Sequence, residues 1–174
     1  MSASLQVYWQ LIIELFRTPF HHSELIWGIV PLYFGWLVNE LTSGEASFKT
    51  AIQTGFSFVW AAAHWIYQYS VLNAFARHVS MKNLLAVNVV VTLLVLMVGL
   101  LAFVSGLRGK YPKYCSFLGH SRFSNYFMIA IFPIQSNYLG WTRGRLLAIL
   151  IFSIPVWLLA SGLAFAVRPG KKKK

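Results

Sequence analysis

LLAVNVVVTLLVLMVGLLAFVSGL, residues 84–107, is 24 residues long and contains no charged side chain. At about 1.5 Å of rise per residue such a helix is longer than the ~30 Å hydrocarbon core of a bilayer. Three further apolar stretches accompany it: Leu25 to Leu41, Ala51 to Phe75, and Leu146 to Val167. The pattern predicts an all-α, polytopic membrane helix bundle with four or five transmembrane helices. The uncertain count rests on Asn125 to Trp141, whose apolar core ends at Ile134 and is broken by Pro133, with Gln135, Ser136 and Asn137 following at once. That segment is expected to span poorly or to re-enter.

Composition agrees with this class. Hydrophobic residues make up 57% of the 174-residue chain and charged residues 11%, which leaves little polar surface to dissolve a globule in water. All four acidic residues (Glu14, Glu24, Glu40, Glu45) precede residue 46, whereas 14 of the 15 basic residues follow it. Connectors rich in Lys and Arg but lacking carboxylates suit anionic lipid headgroups. With five spans the basic residues divide ten to five between the two sides, favouring an extracytoplasmic N-terminus; with four they divide eight to seven and decide nothing. The first span, rather than a cleavable leader, is expected to direct insertion.

The chain divides into an N-terminal amphipathic interfacial segment (1–23), a transmembrane bundle (24–167) and a basic, flexible tail (168–174). Gln6, Gln10, Glu14 and Arg17 recur at helical spacing from Leu5 to Phe16, with Tyr8 and Trp9 suited to the water boundary and Pro19 expected to end the helix. A partner-facing cytosolic helix is the alternative for this segment. Ser23 is expected to cap the first span, with Glu24 favourably placed in its first turn and Pro31 kinking it. The four terminal lysines match either a dilysine retrieval pattern or a simple topology anchor.

Gln53, Ser57, His64 and Gln68 fall on one face of the second span, and Asn88 and Thr92 are one turn apart on the third. Polar groups in hydrocarbon turn toward protein or water, so this stripe is expected to face the bundle interior, either as interhelical hydrogen bonds or as a lined pathway. The chain has no Asp and its carboxylates are confined to the N-terminal quarter or so, which argues against an Asp/Glu/His proton relay across the bilayer and for a structural histidine at position 64. Arg108, Lys110, Lys113, Arg122, Arg143 and Arg145 are candidate lipid-headgroup contacts. The basic, aromatic connector from Arg108 to Arg122 also has the mixture seen in single-strand binding, but beside hydrophobic spans lipid is the expected ligand and no nucleic acid is predicted. Cys115, the single cysteine, excludes an internal disulfide and is a conceivable palmitoylation site. His21, His22 and Glu24 lack further metal ligands at useful spacing. No nucleophile elbow, paired catalytic carboxylates, phosphate-binding loop or zinc motif is present, so neither an enzyme nor a cofactor is predicted.

An amphipathic lead-in reaching Pro19, a first span with a central Pro31-Leu32, a basic connector with Phe117 and Gly119, and Tyr126 and Phe132-Pro133 before a final span together resemble the Yip domain family of small five-span membrane proteins. The resemblance implies a non-catalytic role in membrane organisation and trafficking with a cytosolic N-terminus. The charge division favours the opposite orientation. The expected function is a non-enzymatic, multi-pass integral membrane subunit or scaffold contacting anionic lipids and packing with other membrane proteins or copies of itself. The alternative is a channel or transporter component whose pathway is lined by the second span.

Overall fold

The computed structural model describes residues 3–42, 48–75, 82–109 and 122–167. Six α-helices and no strand occur among them: α1 (Ala3–His21), α2 (Ser23–Thr42), α3 (Phe48–Phe75), α4 (Lys82–Arg108), α5 (Arg122–Gln135) and α6 (Arg143–Val167).

Side-chain pairings give the direction of each helix. Gly28 meets His64 while Gly35 meets Ser57, so α2 and α3 run antiparallel. Gly55 meets Gly99 and Phe103, and Gly106 meets Ile52, so α4 runs back along α3. Trp65 packs on Phe132 and Tyr69 reaches Gln135, so α5 runs parallel to α3. Tyr126 bonds to Ile149, and the turn at 136–142 brings α6 back. Chain direction thus alternates at every helix from α2 to α6. One end of the bundle, end I, carries the starts of α2, α4 and α6; end II carries the ends of those three helices.

The α3–α4 seam is close because glycine removes the side chains that would hold the backbones apart. A Cβ on Gly55 would stand 2.5 Å from the Phe103 nitrogen, and one on Gly106 would stand 2.9 Å from the Phe48 carbonyl oxygen. Small residues that admit such approach characterise helix packing in membranes, where lipid supplies no hydrophobic drive between helices.

α5 is the centre of the core. Every residue from Met128 to Ser136 is buried, so the helix is enclosed on all sides rather than along one stripe. Leu25, Ile29 and Leu32 of α2, Trp65 of α3, Ile149 of α6 and Ile12 and Leu15 of α1 complete the cluster around it.

The outside is apolar as well. α4 exposes Val87, Val89, Val90, Leu93, Leu94, Met97, Leu100, Leu101, Val104 and Leu107, and α6 exposes Leu150, Ile154, Trp157, Leu158 and Leu159. In water the outer face of α4 alone would forgo on the order of 10 kcal/mol of burial. Among the described residues one helix segment, Ala86–Arg108, is long and apolar enough to cross a membrane, and 22% of its apolar window is buried; Ser23–Val38 is a shorter apolar helix.

Three local expectations are corrected. α1 does not end before Pro19 but continues to His21, with Pro19 buried on the same face as Ile12 and Leu15. Proline's fixed φ fits a helix, its missing N–H removes one bond, and burial of the ring offsets that loss near a helix end. Ser23 does not cap α2: its hydroxyl lies 3.4 Å from the Glu24 carboxylate, and the first-turn bond runs from the Leu25 N–H to the His22 carbonyl. The segment from Asn125 to Trp141 is broken, as expected, but not at Pro133: α5 runs through that proline to Gln135, a turn occupies 136–142, and α6 begins at Arg143.

Candidate functional site

The polar stripe begins at the proline of α2. Pro31 has no N–H, so the carbonyl of Trp27, four residues earlier, loses its helical partner. The Trp60 indole N–H donates to that carbonyl at 2.7 Å. One turn along, the Ser57 hydroxyl lies 2.9 Å from the Pro31 carbonyl and 3.0 Å from the Gln53 carbonyl. Gly35 leaves room for it, since a Cβ there would come within 2.7 Å of the Ser57 oxygen. Ser57 and Trp60 therefore stitch α3 to the weakened turn of α2, and the helix runs unbroken through Pro31.

His64 is packed rather than poised. Its ring stacks on Phe132 with centroids 5.6 Å apart, and a Cβ on Gly28 would strike both rings within 2.6 Å. The Gln68 amide lies 3.5 Å from the His64 ring nitrogen. Gln53 is half-buried on the same helix.

Asn88 and Thr92, the stripe's expected counterparts, are buried at the C-terminal end of α5. A helix end inside an apolar bundle must satisfy its last four carbonyls. The Asn137 N–H bonds to the Ile134 carbonyl and the Tyr138 N–H to the Pro133 carbonyl, with Asn137 in the left-handed region at φ 61°; this is a Schellman cap with asparagine in the usual glycine position. The Ser136 N–H bonds to the Phe132 carbonyl. The remaining carbonyl, that of Gln135, accepts the Tyr69 hydroxyl at 2.6 Å; that hydroxyl also lies 2.7 Å from Gln135 Oε1, with Thr92 beside it. All four are engaged.

Asn88 then locks the cap to α4. Its amide nitrogen donates to Asn137 Oδ1 at 2.7 Å, and its oxygen accepts the Trp141 indole N–H at 2.6 Å. Gln135 Nε2 and the Ser136 hydroxyl, both in fully buried residues, have no hydrogen-bond partner among the described residues. The stripe thus divides into two clusters: Ser57 and His64 hold α2 and α5, while Asn88 and Thr92 sit with Tyr69, Gln135 and the 136–141 turn.

Two polar contacts fasten end I. The Arg145 guanidinium lies 3.1 Å from Glu14 Oε2 and donates to the Gly140 carbonyl at 2.8 Å. Arg145, expected to meet lipid headgroups, is therefore committed within the fold, tying α1 to the start of α6. Arg108 and Arg143 are exposed; Arg122 begins α5; Lys110, Lys113 and Cys115 lie outside the described residues.

Glu24 accepts the Tyr138 hydroxyl, and His22 packs on the Tyr138 ring at 4.5 Å. The hydroxyl holds the Glu24 carboxyl below its ordinary 4.5. Burial, reinforced by the Glu24 charge, pushes Tyr138 up to about 12. A depressed carboxyl stabilises the fold above its unfolded pKa, and that contribution disappears as pH falls through the lowered folded value. Tyr138 has the converse effect, stabilising below 10 and losing that contribution as pH rises toward 12. Tyr138→Phe is therefore expected to flatten the dependence of thermal stability on pH at both extremes, which parallel melts of the two proteins across pH 3–11 will read.

Sequence reasoning missed Tyr69, Trp141 and the Glu14–Arg145 pair. Tyr69 follows Gln68 by one residue and lies next to the stripe, but the hydroxyl's target is 66 residues away. Comparison with protein-family models, curated proteins and solved structures yields no match in any of the three.

Proposed function

We propose that this chain is a multi-pass integral membrane protein that acts without catalysis as a packing subunit of a larger membrane assembly. α2, α3, α4 and α6 cross the bilayer and α5 makes a fifth, short pass. α5 is only about 20 Å long by helical rise, against ~30 Å of hydrocarbon, and its enclosure by neighbours makes a short pass tolerable.

The observation that carries this reading is the inverted distribution of polarity: apolar side chains cover the long helices outside, while Ser57, Tyr69 and Asn88 bond inside. Alternating helix directions put Lys49, Arg108 and Arg122 toward end II, and Arg17, Lys82, Arg143 and Arg145 toward end I; the other basic residues lie outside the described residues. The ten-to-five division that the sequence gives for five passes supports a cytoplasmic end II. The order of parts that resembles the Yip domain family fits the pass count, with the N-terminal side reversed.

A second reading, a channel or transporter component, is favoured by one feature: Gln135 Nε2 and the Ser136 hydroxyl are buried with no partner among the described residues at a broken helix, the kind of place where transporter sites form. Proteoliposome flux and copurification separate the two. The packing reading expects no flux above empty vesicles, and recovery from native membranes together with another integral membrane protein. A chain that is monodisperse and stable alone, with flux abolished by His64→Ala or Gln68→Ala, would contradict it.

A further inference from the structure

Between α3, α4 and α5 lies an open crevice of about 240 Å³. Phe58 of α3, Leu94, Val95 and Val98 of α4, and Phe127 and Met128 of α5 line it together with Ser124, and its wall is almost wholly apolar. It opens beside the outer surface of α4, where Leu94, Met97 and Leu101 are each more than half exposed.

Each of the three helices that form the crevice carries a basic residue at end II: Lys49 near the start of α3, Arg108 at the end of α4 and Arg122 at the start of α5. Lys49 and Arg108 are exposed. By helical rise Val98 lies about 15 Å from Arg108, Phe58 about 13 Å from Lys49, and Met128 about 9 Å from Arg122. A single leaflet contributes about 15 Å of hydrocarbon. A chain hanging from a headgroup at end II therefore reaches the crevice, and the helix ends around that headgroup are cationic.

We propose that the crevice holds one acyl chain of an anionic phospholipid from the end II leaflet, its headgroup lying at the helix ends that bear Lys49, Arg108 and Arg122. This rests on the membrane reading above and adds to it one discrete lipid with a defined seat. Basic residues near an anionic surface attract it without fixing its position; the apolar seat fixes the position. The bound lipid bridges the α3–α4 pair and the central helix along a line where those helices do not close on one another.

The test uses the full chain reconstituted in phosphatidylcholine vesicles doped with a phosphatidylglycerol that carries a photoactivatable diazirine near the end of one acyl chain. Crosslinks are mapped by peptide mass spectrometry. Labelling is expected on α4 around Leu94 to Val98 and on α5 around Phe127, competed by unlabelled phosphatidylglycerol and not by further phosphatidylcholine. Val98→Trp, which fills the crevice, is expected to lower it about tenfold, whereas Leu101→Trp on the outer face leaves it unchanged. The double variant Lys49→Gln, Arg108→Gln leaves the wall intact and is expected to abolish the preference for phosphatidylglycerol. Even labelling along α4 and α6, indifference to Val98→Trp, or equal competition by phosphatidylcholine would overturn the proposal. Release of the chain by alkaline carbonate, with no labelling anywhere, would instead contradict the membrane reading on which it rests.

Discussion

Gly55→Ala is expected to destabilise the bundle by about 3 kcal/mol, the upper part of the usual range for overpacking. The added methyl would stand 2.5 Å from the Phe103 nitrogen, 2.7 Å from the Gly99 carbonyl oxygen and 2.8 Å from the Phe103 Cα. All three are backbone atoms, so no side-chain rotation relieves the clash and the helices must separate. Gly35→Ala meets the Ser57 hydroxyl instead, a group that turns aside at the loss of its bond to Pro31, and its cost is expected to be smaller. Gly162→Ala meets nothing within 4 Å and is expected to be neutral or slightly stabilising, because alanine favours helix by up to about 1 kcal/mol. Thermal melts of the three variants in one detergent provide the ranking. If Gly55→Ala melts with the parent, the α3–α4 seam is not as close as described.

Asn88→Ala is expected to cost about 1–3 kcal/mol, the sum for two interhelical hydrogen bonds in a membrane bundle. The substitution removes both the donor to Asn137 and the acceptor of the Trp141 indole. Tyr69→Phe is expected to cost a similar amount for a different reason: it strips the hydroxyl from a buried helix-terminal carbonyl, and an unmet buried acceptor loses roughly 1–3 kcal/mol. The two substitutions act on one cap, so their effects are expected to be non-additive in a double-mutant cycle. Asn137→Gly provides a check on the cap geometry. Glycine adopts φ 61° without strain, so its gain in backbone fit opposes the lost bond to Asn88, and the variant should melt close to the parent. In the Asn88→Ala background, where that bond is already gone, Asn137→Gly should raise the melting temperature. Additive losses throughout would mean that Asn88 does not act through the cap.

The long helices were legible because apolar length is a local property. Residues 84–107 read as one helix, and α4 spans Lys82–Arg108. The change of direction after Gln135 was legible as a broken segment, since Gln135-Ser136-Asn137 interrupts an apolar run, although the helix passes through Pro133 before it ends. What periodicity does not carry is which distant group completes a local deficit. Pro31 announces that the Trp27 carbonyl needs a partner, yet nothing in the sequence designates Trp60. The polar residues after Ile134 announce a break, yet Tyr69 and Asn88, which make it tolerable, are about 50 to 65 residues away. Helical spacing groups Gln53, Ser57, His64 and Gln68, but it does not show that Ser57 meets Pro31 of α2 while His64 stacks on Phe132 of α5. Arg145 was grouped with lipid contacts because sequence distance conceals Glu14, 131 residues earlier.

The central claim is that the chain passes through the bilayer an odd number of times between the start of α2 and the end of α6, with α5 counted as a pass. Side-specific thiol labelling in sealed vesicles addresses it with two proteins. The first is the native chain, whose single cysteine, Cys115, lies in the connector between α4 and α5. The second is Cys115→Ser with Ser23→Cys at the exposed start of α2. An epitope appended after Lys174 reports the C-terminal side in each. The account predicts that Cys115 and the C-terminal epitope are reached from the cytoplasmic side and the thiol at position 23 only from the opposite side. Labelling of position 23 from the same side as the epitope would contradict it.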